Sequence, residues 1–473
     1  MSVCVRLLLL AGLLAGSALP VAAETKLPSL ISDHMVLQRE EPVPIWGWDN
    51  PGTEVTVTLG DKQAKATAGD DGKWTAELPA LKAGGPHELK ISGSSDITVK
   101  DVLVGEVWLC SGQSNMEWTV NRSANFPEEQ KAANHPRIRH IKFPHRPSDK
   151  PEADIPSQGG WQSATPDTVG GFTAVGYFFA VNLQSELDNV PIGLLGCNWG
   201  GTRIEPWTPP VGFKQVPELS SITDKLSEFP AKTDKGINHQ SPLALYNGMI
   251  SPLVPYGIRG ALWYQGESNN GEGMDYYHKM RALIAGWREL WDKPELPFLY
   301  VQLAPYNYRN RAPEALAGIW EAQLKALSIP NTGMAVTVDI GNTGDIHPKN
   351  KQDVGKRLAL WALATVYGKQ DLVYSGPLFK SAEVKGNQIR VTFDHVGGGL
   401  KSRDGKPLSH FQIAGKDRKF VDAQAKIDGD SVVVSADSVQ EPVAVRYAYT
   451  QEAEPNLSNA EGLPASPFRT DEF

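Results

Sequence analysis

One stretch constrains this chain more than any other. The apolar, β-branched run Val102-Leu103-Val104-Gly105-Glu106-Val107-Trp108-Leu109-Cys110 stops abruptly at Ser111-Gly112, and Ser114 follows two residues later with helix-compatible residues behind it. A strand that is apolar on both faces is buried between layers, and in open α/β sheets the reactive groups sit just beyond the carboxyl ends of such strands. Ser114 therefore stands where a nucleophile is useful. A single serine after a strand is as readily an ordinary turn residue, so the rest of the chain has to decide between the two.

At 473 residues the chain is too long for one ordinary domain. Its formal charge of −8 comes from 46 basic and 54 acidic residues spread along the sequence, with no basic run of the kind that binds nucleic acid. The first 23 residues read as a secretory signal. A lone Arg6 precedes the apolar run Leu7 to Leu14, and the small residues Val21-Ala22-Ala23 precede Glu24, which implies cleavage near Ala23 and a secreted or periplasmic protein. The apolar core of this segment is too short to span a bilayer comfortably. Removal of Cys4 leaves Cys110 and Cys197, each at the end of an apolar strand, and both are expected as buried reduced thiols.

Three units follow the signal. Residues 24–100 carry short alternating runs ("VPIWGW", "EVTVTL", "KWTAEL", "HELKIS") separated by Asn50-Pro51-Gly52, Gly69-Asp70-Asp71-Gly72 and Gly84-Gly85-Pro86, the spacing of a small β-sandwich. Residues 101–370 alternate apolar strands ("VPIGLLGCNWGG", "IRGALWYQGESN", "LPFLYVQLAP", "GMAVTVDIG") with helical-period segments ("FTAVGYFFAVNLQSEL", "YYHKMRALIAGWRELW", "APEALAGIWEAQLKAL", "NKQDVGKRLALWALATVY"). That alternation predicts an α/β/α domain on a parallel sheet. Residues 371–473 return to β, with a hairpin through Asp428-Gly429.

Chemistry-bearing residues gather where the middle strands end. The first end offers Ser114, the second Gly200-Gly201, the third Gln265-Gly266-Glu267-Ser268-Asn269, and the last Asp345-Ile346-His347 before the closing helix. A nucleophilic serine needs a base, a group to orient that base, and donors for the oxyanion, and these four stretches contain one of each. His135 and His140 are poorly spaced as metal ligands and no cysteine pair suits zinc, so neither metal nor organic cofactor is expected.

The segments "GEVWLCSGQSNMEW", "GCNWGGTRIEPW", "LWYQGESN" and "DIHPKNKQDVGKRLAL", in this order, resemble the sialate O-acetylesterase family within the SGNH-type hydrolases, over nearly the whole chain after the signal. The resemblance implies an SGNH-like three-layer domain and removal of O-acetyl groups from sugars, most directly O-acetylated sialic acid. It makes Ser114 the nucleophile, His347 the general base and Asp345 the orienting acid. It also makes Ser114, Gly201, Gln265 and Asn269 the oxyanion-hole candidates, with Gln265 favoured over Asn269 as side-chain donor. In the wider group the acid lies three residues before the histidine, where this chain has Gly344, so Glu267 competes with Asp345 for that role. Gln113, Asn115, Trp199 and Arg203 flank these ends as candidates for contact with the sugar. Two alternatives stand beside this reading: the same serine chemistry on acetylated xylan or xyloglucan, and a non-catalytic glycan-binding protein in which Ser114→Ala would change nothing. The partner in each case is an acetylated sugar or oligosaccharide, and no nucleic acid or membrane span is expected.

Overall fold

The computed structural model describes residues 24–473, and the expected signal segment lies outside them. The strand that carries the serine runs from Asp96 to Gly112 (β1) and changes character along its length. Exposed and buried residues are interspersed up to Asp101, and from Val102 to Gly112 every residue is buried. The first part is a strand with one wet face and the second lies between two layers. The boundary expected between residues 100 and 101 thus falls within one continuous strand.

The first part of β1 belongs to a small sandwich. Gly84–Ser92 pairs antiparallel with it and also with Glu54–Leu59, which in turn pairs with Lys62–Thr67. Facing these is the antiparallel pair Val43–Trp48 and Lys73–Leu78. The latter strand alternates exposed with buried residues throughout, and Val55, Val57, Trp74, Leu78, Leu89 and Ile91 fill the space between the layers. Val36–Gln38 then lies parallel to β1 opposite Leu103–Gly105.

The second part of β1 is the centre of the catalytic-type sheet. With β2 (His135–Lys142), β3 (Gln162–Ala164), β4 (Ile192–Asn198), β5 (Gly260–Tyr264), β6 (Phe298–Val301) and β7 (Thr332–Ala335), the strand order is β7-β6-β5-β1-β4-β2-β3. All neighbours are parallel except β3, which runs antiparallel to β2. Helix α1 (Ser114–Glu117) follows β1, and the long helices are α2 (Ala174–Glu186), α3 (Asp275–Leu290), α4 (Ala315–Ala326) and α5 (Lys351–Thr365). Trp108 meets Phe179 of α2 edge-on, whereas Trp263 on the opposite face meets Trp287 of α3, so helices cover both sides. Strand β2 begins His135-Pro136 and carries Arg137, Arg139 and His140 among its apolar residues, so it lacks the unbroken apolar run that marks the other central strands. Nor does periodicity reveal the stretch 199–258, which folds into short helical turns and one two-stranded hairpin.

Cys110 and Cys197 sit on adjacent strands one register step apart, with Cys110 opposite Gly196 and Cys197 opposite Ser111. Side chains alternate faces along a strand, so the two sulfurs point to opposite sides of the sheet. Cys110 Sγ faces Gly176 of α2 and Cys197 Sγ donates to the Met249 carbonyl at 3.3 Å. Both are free, and burial pushes both thiols well above their ordinary range.

Beyond α5, Leu378–Lys385, Gln388–Asp394, Ser431–Ser435 and Gln424–Asp428 form one antiparallel sheet, and Phe420–Asp422, Phe411–Gly415, Pro442–Tyr447 and Phe468–Arg469 form another. These enclose a separate core around Val391, Phe411, Val432, Tyr447 and Phe468. The expected hairpin is present: Asp428 pairs with Ser431 across Gly429, whose φ of +61° suits a glycine in a two-residue turn. Among the described residues, no helix is long and apolar enough to cross a membrane.

Candidate active site

The end of β1 is shaped by contact with the end of β5. Gln113 N–H donates to the Tyr264 carbonyl at 2.9 Å, and Gly112 lies at φ +133°, where any Cβ would run into that same carbonyl oxygen. Only glycine allows the two strand ends to approach so closely, and the turn it permits delivers Ser114 to the first position of α1. On the other side, Gly200 also has little room. A Cβ there would lie 3.1 Å from Ser114 Cβ.

Ser114 Oγ is 2.8 Å from His347 Nε2 across 233 residues of sequence. The imidazole stacks on the Trp118 ring (4.9 Å between centroids, 16° between planes), and the Arg122 guanidinium also lies over Trp118, 3.7 Å from the ring centre. Partial burial, with the Lys351 and Arg122 cations adding to it, holds the His347 pKa below its ordinary value, against the opposing pull of Asp345. A neutral imidazole is the form that accepts a hydroxyl proton.

Asp345 is placed less closely than a buried triad acid. Its Oδ1 accepts the His347 backbone N–H at 2.9 Å but lies 3.9 Å from Nδ1, beyond hydrogen-bond reach, and its side chain is 42% exposed. Glu267 does not approach the imidazole through any hydrogen bond or ion pair. Its Oε1 accepts Asn115 Nδ2 at 2.5 Å, while Oε2 is buried without a partner. Part of the residue reaches the surface, but the carboxylate end is enclosed, and burial raises its pKa.

A second cluster braces the loop after β4. Glu117, on the serine's own helix, accepts Gly200 N–H at 2.7 Å and His145 Nε2 at 2.9 Å. Trp199 stacks with the rings of both His145 and His239, at 4.5 and 4.6 Å. Gly200 N–H is therefore committed to Glu117. The N–H of Gly201, at φ +76°, and that of Ser114 donate to nothing among the described residues. Sequence reasoning missed Glu117, Trp118 and His145. The first two lie three and four residues after Ser114, where one helical turn brings side chains back to the same side, and that spacing was the available signal.

Residues 104–364, more than half of the chain, match the family described as carbohydrate esterase, sialic acid-specific acetylesterase. The chain belongs to this family. Sialate O-acetylesterase of Homo sapiens is 31% identical over 489 residues, covering 93% of this chain and 91% of that protein, and its Pongo abelii counterpart is 30% identical over the same shares. The crystal structure of a carbohydrate acetylesterase from Xanthomonas citri superposes with a TM-score of 0.87 at 42% identity, over 95% of this chain and all of that one.

Within this sialic acid-specific acetylesterase fold, several residues expected to face substrate are engaged elsewhere. Gln265 is fully buried; its Nε2 donates to the Thr202 carbonyl and Asn269 Oδ1, and its Oε1 accepts from Tyr276 Oη. Asn269, also fully buried, donates to Glu205 and Glu272 and accepts Ile204 N–H. Neither amide keeps a free N–H for an oxyanion, because both are needed to satisfy buried polar groups around the turn. Arg203 is likewise held by Glu205 and Glu272, and Trp199 is stacked with two imidazoles. Asn115 is 2% exposed and spends both amide ends internally. Gln113 differs: its Oε1 accepts weakly from Gly266 and Ser268 N–H, and its Nε2 has no partner among the described residues. Among those residues no three His, Cys, Asp or Glu side chains are grouped to hold a metal ion.

Proposed function

We propose that this chain is a serine carbohydrate O-acetylesterase whose nucleophile is Ser114 and whose general base is His347. The observation that carries the reading is the 2.8 Å contact between Ser114 Oγ and His347 Nε2 at the sheet's carboxyl edge, in a member of an acetylesterase family. His347 takes the hydroxyl proton as Oγ attacks the acetyl carbonyl, and the Ser114 and Gly201 N–H groups receive the developing oxyanion. His347 returns the proton to the sugar oxygen, the alcohol leaves, and water activated by the same imidazole hydrolyses the acetyl-enzyme. Asp345 serves as the acid beside the base, and Gln113 Nε2 is the amide left to meet substrate.

O-acetylated sialic acid is the first substrate class, after the named relatives. A second reading, an acetylated carbohydrate other than sialic acid, is supported by the 42% identity to the carbohydrate acetylesterase from Xanthomonas citri. The half-exposed Ser114 and His347 suit either. The signal-like start supports export with cleavage near Ala23, and the three expected units remain our division of the chain, the first two sharing β1.

The deciding experiment is acetate release from a panel of O-acetylated sialic acid, acetylated xylan and acetylated xyloglucan oligosaccharides, with wild type and Ser114→Ala side by side. Release by wild type and none by a folded Ser114→Ala supports the mechanism, and the best substrate identifies the sugar. Full activity in Ser114→Ala, or sugar binding without any acetate release, overturns it.

A further inference from the structure

Lys351 is an unusual residue for its position. It is the first residue of α5, where the helix dipole disfavours a cation, and it is wholly buried. Its ammonium makes one hydrogen bond among the described residues, to Asn115 Oδ1 at 2.6 Å, and lies 5.2 Å from the Tyr264 ring centre. Enclosure lowers its pKa to about 7, with Glu267 and Asp345 opposing the drop. A buried cation with one acceptor at a helix N-terminus costs stability on three counts, so its presence here calls for a compensating role.

That role is visible in the amide it grips. An ammonium only donates, so protonated Lys351 fixes Asn115 with Oδ1 towards it and Nδ2 away. Nδ2 then meets two acceptors, Glu267 Oε1 at 2.5 Å and the Ile346 carbonyl at 2.9 Å. Asn115 directly follows Ser114, and Ile346 directly precedes His347. One side chain thus ties the serine's turn to the histidine's loop and to the turn after β5. Asp345, at 3.9 Å from Nδ1 and half-exposed, holds the ring far less firmly.

Resting on the Ser114–His347 reading, we propose that Lys351 and Asn115, with Glu267 as the further acceptor, are positioning residues that hold His347 against Ser114. Glu267 therefore acts through Asn115 and does not orient the imidazole itself. The groups that face His347 are Asp345, Lys351 and Arg122, with Trp118 against its ring; those that face Lys351 are Glu267, Asp345 and Asn115.

The test compares Asn115→Asp, Lys351→Met and the double variant Lys351→Met/Glu267→Gln with wild type and Ser114→Ala, by kcat, KM and pH profile on 4-nitrophenyl acetate. Asn115→Asp keeps the volume but turns a second oxygen towards Ile346 O and Glu267, and should lower kcat about 10²-fold with KM little changed. Lys351→Met removes a cation that disfavours protonation of His347, so the acidic limb of kcat/KM should move to higher pH, a shift that loosened packing alone would not give. If Lys351→Met fails to fold because Glu267 is left unbalanced, the double variant, which removes both charges, is the one read. Parent-like kcat in Asn115→Asp, or an unmoved acidic limb in the folded lysine variant, overturns the proposal. An active Ser114→Ala would instead overturn the catalytic reading beneath it.

Discussion

Replacing Asp345 by Asn should cost much less than replacing the buried acid of a closed triad. The structure puts its carboxylate 3.9 Å from His347 Nδ1 with the side chain 42% exposed. Two unit charges at that separation interact by about 1 kcal/mol in bulk water and about 4 kcal/mol at the effective dielectric of a protein surface. Solvent screening of a side chain this exposed favours the lower end, about 1–2 kcal/mol, so kcat/KM should fall about 5- to 30-fold. A buried triad aspartate, by contrast, is worth about 10⁴-fold when changed to Asn. Asp345 also raises the His347 pKa, so its neutral replacement should shift the acidic limb to lower pH, opposite to the shift expected for Lys351→Met. Initial rates on 4-nitrophenyl acetate between pH 4 and pH 9, roughly the range over which carboxylate and imidazole titrate, give both quantities. A fall near 10⁴-fold would refute the reasoning, because it would mean that Asp345 closes onto Nδ1 during turnover. No fall at all would deny it even an electrostatic part.

Three further outcomes follow from the same geometry. Because the environment holds His347 below its ordinary value of 6.5 and the base must be neutral, wild-type kcat/KM should rise with pH through a midpoint below 6.5; a midpoint above it contradicts the assigned environment. Gly112→Ala should lower stability by about 2–5 kcal/mol in urea unfolding, from backbone strain at φ +133° plus collision with Tyr264, and an unchanged midpoint would show that the strand ends can part. Cys110 and Cys197 should resist alkylation in the native protein and both react after unfolding without reductant, as read by intact mass; a linked peptide joining them would contradict their opposite-facing placement.

The strand ends were legible because a parallel sheet buried on both faces writes itself as uninterrupted apolar runs, and each run here breaks off sharply at a polar or glycine residue. The runs place Ser114 at a strand end and helical periodicity marks the four long helices, whereas the roles of Ser114 and His347 rest on the family resemblance. What the sequence does not disclose is where an amide spends its hydrogen bonds. Gln265 and Asn269 have the right chemistry and the right address for oxyanion donors, yet buried carboxylates, hydroxyls and carbonyls around them claim every N–H. The same blindness hides Lys351, which reads as one more polar residue at the start of an amphipathic helix until burial shows its ammonium turned inward.

Sharing β1 between the sandwich and the catalytic sheet has a consequence for how this architecture can be inherited. Gln38 and Arg39, from the first unit, bond Glu106, which is fully buried and is also held by Arg259 of the second; Gln38 Oε1 further accepts Val107 N–H at 2.8 Å. A recombination event at residue 100 would sever a strand in mid-run, leave Glu106 without two of its partners, and bare a row of unpaired backbone groups beside the segment that presents the serine. The N-terminal unit is therefore not a cassette that can be gained, lost or exchanged at that junction, and the two units must descend together.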